Sequence, residues 1–152
     1  MNSAVVARPC FTVLAQKAEE QIALIHSEMA QARTRLESLS SSQARVQTMY
    51  DEYRLKLNEN QNESQGMREA MNQRQFMTQL LTLMQRVKVD MGHTENLLAS
   101  IKERLIAAER DRIKMQTLAD QNARAVRSVF NKREQRQMDA LGVMQFNLRL
   151  QT

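Results

Sequence analysis

Residues 22–39 read Ile22-Ala23-Leu24-Ile25-His26-Ser27-Glu28-Met29-Ala30-Gln31-Ala32-Arg33-Thr34-Arg35-Leu36-Glu37-Ser38-Leu39. Within them Ile22, Ile25, Met29, Ala32, Leu36 and Leu39 fall at alternating steps of three and four. The alternation reaches back through Ala18 and Ala15 to Phe11, and forward to Val46, Tyr50, Tyr53 and Leu57, with Gln43 as its polar step. A spacing that averages about 3.5 residues keeps one narrow apolar stripe turned toward a partner helix, which is the requirement of a coiled coil. Lys17, Glu20, Glu28, Arg33 and Glu37 lie off the stripe, where water solvates them. An amphipathic helix of a globular bundle would be shorter and broader-faced.

The stripe stops at Asn58-Glu59-Asn60-Gln61-Asn62-Glu63-Ser64-Gln65-Gly66, a run of residues that favour turns and helix caps. It resumes through Met77, Leu80, Met84, Val87, Met91, Leu98, Ile101, Leu105, Ala108, Met115, Ala119, Val126 and Val129, interrupted by Thr94, Arg112 and Asn122. Gly92 lies inside this second run and costs about 1 kcal/mol against Ala, which a helix held by a partner absorbs. A break this short predicts an antiparallel hairpin. The expected fold class is therefore all-α: a long two-helix coiled coil forming a single domain over residues 1–152. Helix one covers about 11–57, the turn about 58–67 and helix two about 68–146. A tip near residue 63 sets Tyr53 opposite about Gln73 and Phe11 opposite about Met115. At 1.5 Å per residue the arms are about 70 Å and 110 Å long, a rod on which helix two overhangs helix one.

Composition supports few, long elements. Among 152 residues there are 3 Gly and 1 Pro, too few turn formers for a sandwich, barrel or βαβ fold. No Gly-rich phosphate-cradling run is present, so a nucleotide enzyme is not expected. Cys10, His26 and His93 are far apart, so they supply no zinc site, and one cysteine makes no internal disulfide. Each histidine reads as a flank or surface residue and Cys10 as a spare thiol. Adjacent Asp51 and Glu52 point in different directions on a helix and make no acid–base pair. No catalytic, cofactor or metal constellation remains. The apolar stretch Ala4–Ala7 is too short for a signal-peptide core, and no stretch approaches a membrane span, so a soluble chain is expected.

Two features exceed the needs of a rod. Residues 101–152 hold 11 Lys/Arg against 6 Asp/Glu and supply the whole net charge of +5. Arg104, Arg110, Arg112, Lys114, Arg124, Arg127, Lys132, Arg133 and Arg136 thus surround the overhang. Such charge serves as a solvated face or meets an acidic protein surface, nucleic acid or anionic lipid. Nucleic acid ranks lower, because no aromatic stacking platform interleaves with the charges. The second feature is the apolar surplus Phe76, Met77, Leu80, Leu81, Leu83, Met84 and Val87, more than a two-stranded seam buries. Met77, Leu80, Met84 and Val87 serve the seam and Phe76, Leu81 and Leu83 its flanks, with Met49 and Tyr53 across the hairpin. This patch reads as a binding surface, a wider local core or a contact with a second copy.

Four strings in order, Leu14-Ala15-Gln16-Lys17-Ala18-Glu19-Glu20, Tyr50-Asp51-Glu52-Tyr53-Arg54, Gln75-Phe76-Met77 and Glu134-Gln135-Arg136-Gln137-Met138-Asp139-Ala140-Leu141, resemble the FliJ family of flagellar export proteins. Ala140-Leu141-Gly142 stands where that family often has Glu-Phe-Ala, and Met49 where it often has an aromatic. The resemblance implies a non-enzymatic, cytoplasmic component of the bacterial flagellar type III export apparatus, without cofactor. It implies a central stalk in the ring of the hexameric export ATPase that contacts the cytoplasmic linker of the export gate and binds export chaperones. Nucleic acid is not among the implied partners, and the inner membrane is met peripherally, only through the export apparatus. Matching the strings around the turn implies a gate contact near Met49, Tyr53, Phe76 and Leu80. The helix termini, with Arg127, Lys132, Arg133 and Arg136, are implied to meet the ATPase ring. A stalk of a virulence type III secretion system and a basic coiled-coil tether are the alternatives.

Overall fold

Two residues with special backbone chemistry set the helix starts. Pro9 opens α1, Pro9–Asn60, where the N–H that proline lacks would have no partner in any case. The Arg8 carbonyl before it accepts from the Phe11 N–H at 3.2 Å. Gly66 precedes α2, Met67–Leu150, and its carbonyl accepts from the N–H groups of Glu69 at 3.0 Å and Ala70 at 3.3 Å. Glu69 in the first turn and Arg149 in the last suit the helix dipole. The structure is a computed structural model that describes residues 7–60 and 66–151. Among these residues both regular elements are α-helices. Of the turn expected over 58–67, Asn58–Asn60 prolong α1 and Met67 opens α2, while the tip near residue 63 lies outside the described residues.

Packing divides the chain into two compact units, Leu24–Leu105 and Met1–Ala23 with Ile106–Thr152. In the first, Ile25 and Ile101 are each 2% exposed and are joined by Met29, Ala32, Val46, Leu80, Val87 and Leu98. Each fully buried aliphatic side chain of this size contributes about 1.5–3 kcal/mol. All stripe positions of this unit are buried or half-buried, Gln43 and Thr94 included. Thr94 is 4% exposed, and its hydroxyl donates to the Asp90 carbonyl at 2.9 Å, so its polar atom is not left unpaired.

Two contacts fix the antiparallel register of this unit. Arg104 donates to both carboxylate oxygens of Glu28, at 2.6 and 3.3 Å, and the rings of Tyr53 and Phe76 meet at 4.7 Å between centroids, tilted by 52°. Tyr53 therefore meets Phe76 instead of Gln73, placing the register about one turn further along α2 than folding about residue 63 does. The midpoint of the polar run is a poor guide because both helices continue into it.

In the unit of Met1–Ala23 with Ile106–Thr152, Ala15 and Ile22 are buried, and Phe11 and Ala18 are half-buried. Ala108, Arg112, Met115, Ala119, Asn122, Val126 and Val129 of α2 are half-buried. The polar interruptions have uses here: Asn122 Oδ1 accepts from the Arg8 N–H at 2.9 Å, and Arg112 pairs with Glu109 at 3.0 Å. Arg8 lying against Asn122 carries Phe11 past Met115, again about one turn beyond the expected register. Residues 131–151 are exposed throughout.

The hydrogen bond from Arg104, with its positive charge, holds the Glu28 carboxyl below the usual carboxylate range against the opposing effect of desolvation. A lowered folded-state pKa stabilises above the unfolded value and is lost as pH falls through the folded one. The exposed pair should thus contribute a small stability increment at neutral pH that disappears on acidification and is absent from Glu28→Gln. Ile25→Asp should lower unfolding free energy by more than about 3 kcal/mol, because the charge has no buried partner, whereas exposed Arg35→Ala should stay within about 0.5 kcal/mol. Chemical denaturation followed by circular dichroism checks these outcomes.

Candidate binding surfaces

The apolar surplus at the start of α2 sorts by helix face. Leu80 is 4% exposed and belongs to the seam, so it is not part of an exposed patch. The seam spacing that includes Met77, Leu80, Met84 and Val87 puts its side chain against α1. Phe76 and Tyr53 are half-buried against each other, and Lys56 Nζ lies 5.5 Å from the centre of the Tyr53 ring. The two rings are thus part packing, part surface. Met49 is 41% exposed, and Leu81 and Leu83 are exposed too. The structure joins Tyr53 to Phe76, leaves Met49 on the surface of α1 and withdraws Leu80 beneath.

Arg127, Lys132, Arg133 and Arg136 are all exposed. At about 100° per residue, Lys132, Arg133 and Arg136 share one arc of the helix and Arg127 lies across from it, so the four do not form one face. Arg127 and Lys132 border a shallow depression with Arg124, Ser128 and Asn131. Arg127 also borders an apolar groove formed by Pro9 and Thr12 of α1 with Ala119, Ala123, Val126 and Phe130 of α2. These charges form a collar around α2, a geometry suited to a partner that approaches from more than one side.

Beyond the collar lies an exposed apolar surface that neither the seam nor the basic charge accounts for. Met138, Leu141, Val143, Met144, Phe146, Leu148 and Leu150 are 56–70% exposed, far more apolar surface than a solvated helix end needs. They follow three-four spacing along two lines, Leu141, Met144, Leu148 and Val143, Phe146, Leu150, where a seam needs one, and that doubling is the signal the sequence carries. Hydrogen bonds from Gln116 to Asp120 and from Gln135 to Asp139, at 3.1 and 3.2 Å, join neighbouring turns of this part of α2. His26, His93 and Cys10 are exposed. Among the described residues, no group of three or more His, Cys, Asp or Glu side chains could hold a metal ion. No described helix is long and apolar enough to cross a membrane.

A family model described as Flagellar FliJ protein matches residues 11–151. No curated protein and no solved structure matches the chain.

The sorting of the patch has a measurable consequence. Leu80→Ala should cost about 2–5 kcal/mol of unfolding free energy, as buried Leu truncations do. Met49→Ala should stay within about 0.5 kcal/mol. Phe76→Ala should fall between them, since it removes a half-buried ring contact. Urea denaturation of the three variants gives the order.

Proposed function

The chain belongs to the FliJ family, whose members are non-catalytic components of flagellar type III export, and from that premise we propose that it is the central stalk of the hexameric export ATPase. In this role it links the ring to the cytoplasmic linker of the export gate and binds export chaperones. It sits in the cytoplasm, peripheral at the inner membrane through the export apparatus. The observation that carries the reading is the end of α2: residues 131–151 are exposed throughout, basic at first and apolar after. A helix that leaves its partner behind and presents both kinds of surface suits insertion into a host. The matched family is the flagellar one, which favours this stalk over its virulence counterpart and over a basic tether.

The mechanism needs no reactive side chain. ATP is bound by the ring, and one asymmetric shaft contacts its otherwise equivalent subunits differently. Differential contact biases those subunits toward different conformations and favours their assembly around the shaft, which raises hydrolysis. Arg127, Lys132, Arg133 and Arg136 draw the helix toward an acidic or polar ring entrance. At the other site, Met49, Tyr53 and Phe76 provide the surface for the gate, with Leu80 supporting Phe76 from the seam.

Changing Arg127, Lys132, Arg133 and Arg136 together to Glu should abolish stimulation of the ATPase and leave gate binding intact. Stimulation by the parent chain should weaken as added salt shortens the screening length to about 3–8 Å. Full stimulation by the quadruple variant in moderate salt would assign the basic residues to solvation alone.

A further inference from the structure

Within the unit Leu24–Leu105 the two helices are locally weak at the same height. Residues 38–43 of α1 read Ser38-Leu39-Ser40-Ser41-Ser42-Gln43, and serine favours a helix less than alanine because its hydroxyl competes for nearby backbone groups. On α2 the weak residue is Gly92, which is half-buried. A Cβ built there meets no atom within 4 Å, so no close contact calls for glycine, and its effect is to loosen the helix. Two residues on, the Thr94 hydroxyl donates back to the Asp90 carbonyl at 2.9 Å, a bond that often bends a helix. Interpolating between the Glu28–Arg104 pair and the Tyr53–Phe76 contact sets residues 38–42 level with about residues 88–93.

The seam is leanest at this height as well. On one side Ile25, Met29 and Ala32 of α1 are buried with Leu98 and Ile101 of α2, and on the other Val46 is buried with Leu80 and Val87. Between Ala32 and Val46 every residue of α1 is half-buried or exposed, the seam positions Leu36, Leu39 and Gln43 included. On α2, Met91 is half-buried and polar Thr94 takes the buried place between Val87 and Leu98. Glycine and serine are residues at which helices kink, and a structure opens first where apolar contact is sparse. A single weak helix would be splinted by a strong partner. Here the weak stretches lie side by side, so neither helix splints the other.

We infer that residues 38–43 and 87–94 form a flexure joint, in which both helices open together and the tip part of the hairpin, with Tyr53 and Phe76, tilts against the part held by Glu28 and Arg104. The joint is a property of this chain alone and does not depend on the stalk reading. It allows a partner docked at Met49, Tyr53 and Phe76 to move without prising apart the tightly packed stretch around Ile25 and Ile101.

The test uses the full chain and amide hydrogen exchange read residue by residue by NMR. Amides of residues 38–43 should exchange at least about tenfold faster than those of residues 25–32 and 46–50 on either side, as local opening requires. Gly92→Ala on one helix, and Ser40→Ala with Ser41→Ala on the other, add helix propensity at positions that are exposed or have open space. Either change should slow exchange about fivefold in both helices at this height and leave residues 25–32 as they were. Residual dipolar couplings of the parent should give residues 46–57 with 69–86 a weaker alignment than residues 25–35 with 95–105, and the combined triple variant should bring the two parts to one tensor. Protection that is uniform, or that declines steadily toward the tip, would overturn the joint, the second because it is end fraying. So would a single alignment tensor for both parts of the parent chain. Slowing confined to the substituted helix would also overturn it, since the two weak stretches would then open independently.

Discussion

The antiparallel apolar seam is the contact on which the other features depend. Helices of 52 and 84 residues gain modestly from intrinsic propensity, and here each turn of the stripe buries only one or two side chains. Many small increments along the stripe therefore replace the single thick core of a globular domain. The narrowness of the stripe makes the two faces of each helix chemically different over a few ångströms. Leu80 and Leu81 are adjacent in sequence, yet one is 4% exposed and the other 46%. Among the candidate contact residues in Leu24–Leu105, Met49 and Leu80 fall on opposite sides of that boundary, and Tyr53 and Phe76 straddle it.

Polar residues in the seam behave according to whether the structure satisfies them. Thr94 turns its hydroxyl back to the Asp90 carbonyl and leaves its methyl for packing. Asn122 accepts from the Arg8 N–H and holds the first turn of α1 against α2. These interruptions weaken apolar burial but give the pairing points of identity that a uniform stripe lacks. Glu28 with Arg104 has the same effect at the surface, where an exposed pair adds more to register than to stability.

Where the seam ends, the physical problem changes. α1 starts at Pro9, with Arg8 bonded to Asn122, and α2 continues to Leu150, so its last turns have no helix to pack on among the described residues. Charge keeps part of this length solvated, but the final turns carry apolar side chains that water does not favour. That surface has a use only in the presence of something else. The functional proposal follows from this incompleteness in the isolated chain.

The helix content, the polar break, the seam positions on both helices and the basic character of the last third were all legible in the sequence. They follow from periodicity and charge, which are properties of the chain in order. Tertiary structure alone decided the register, because Tyr53 finds Phe76 and Glu28 finds Arg104 only when two distant segments are docked. It also decided which apolar residues remain bare. A Leu reads the same at positions 80 and 148, and only the presence of a packed partner at the first and its absence at the second makes one a core residue and the other a contact surface. Periodicity records the need for a partner, whereas burial is a property of two surfaces together.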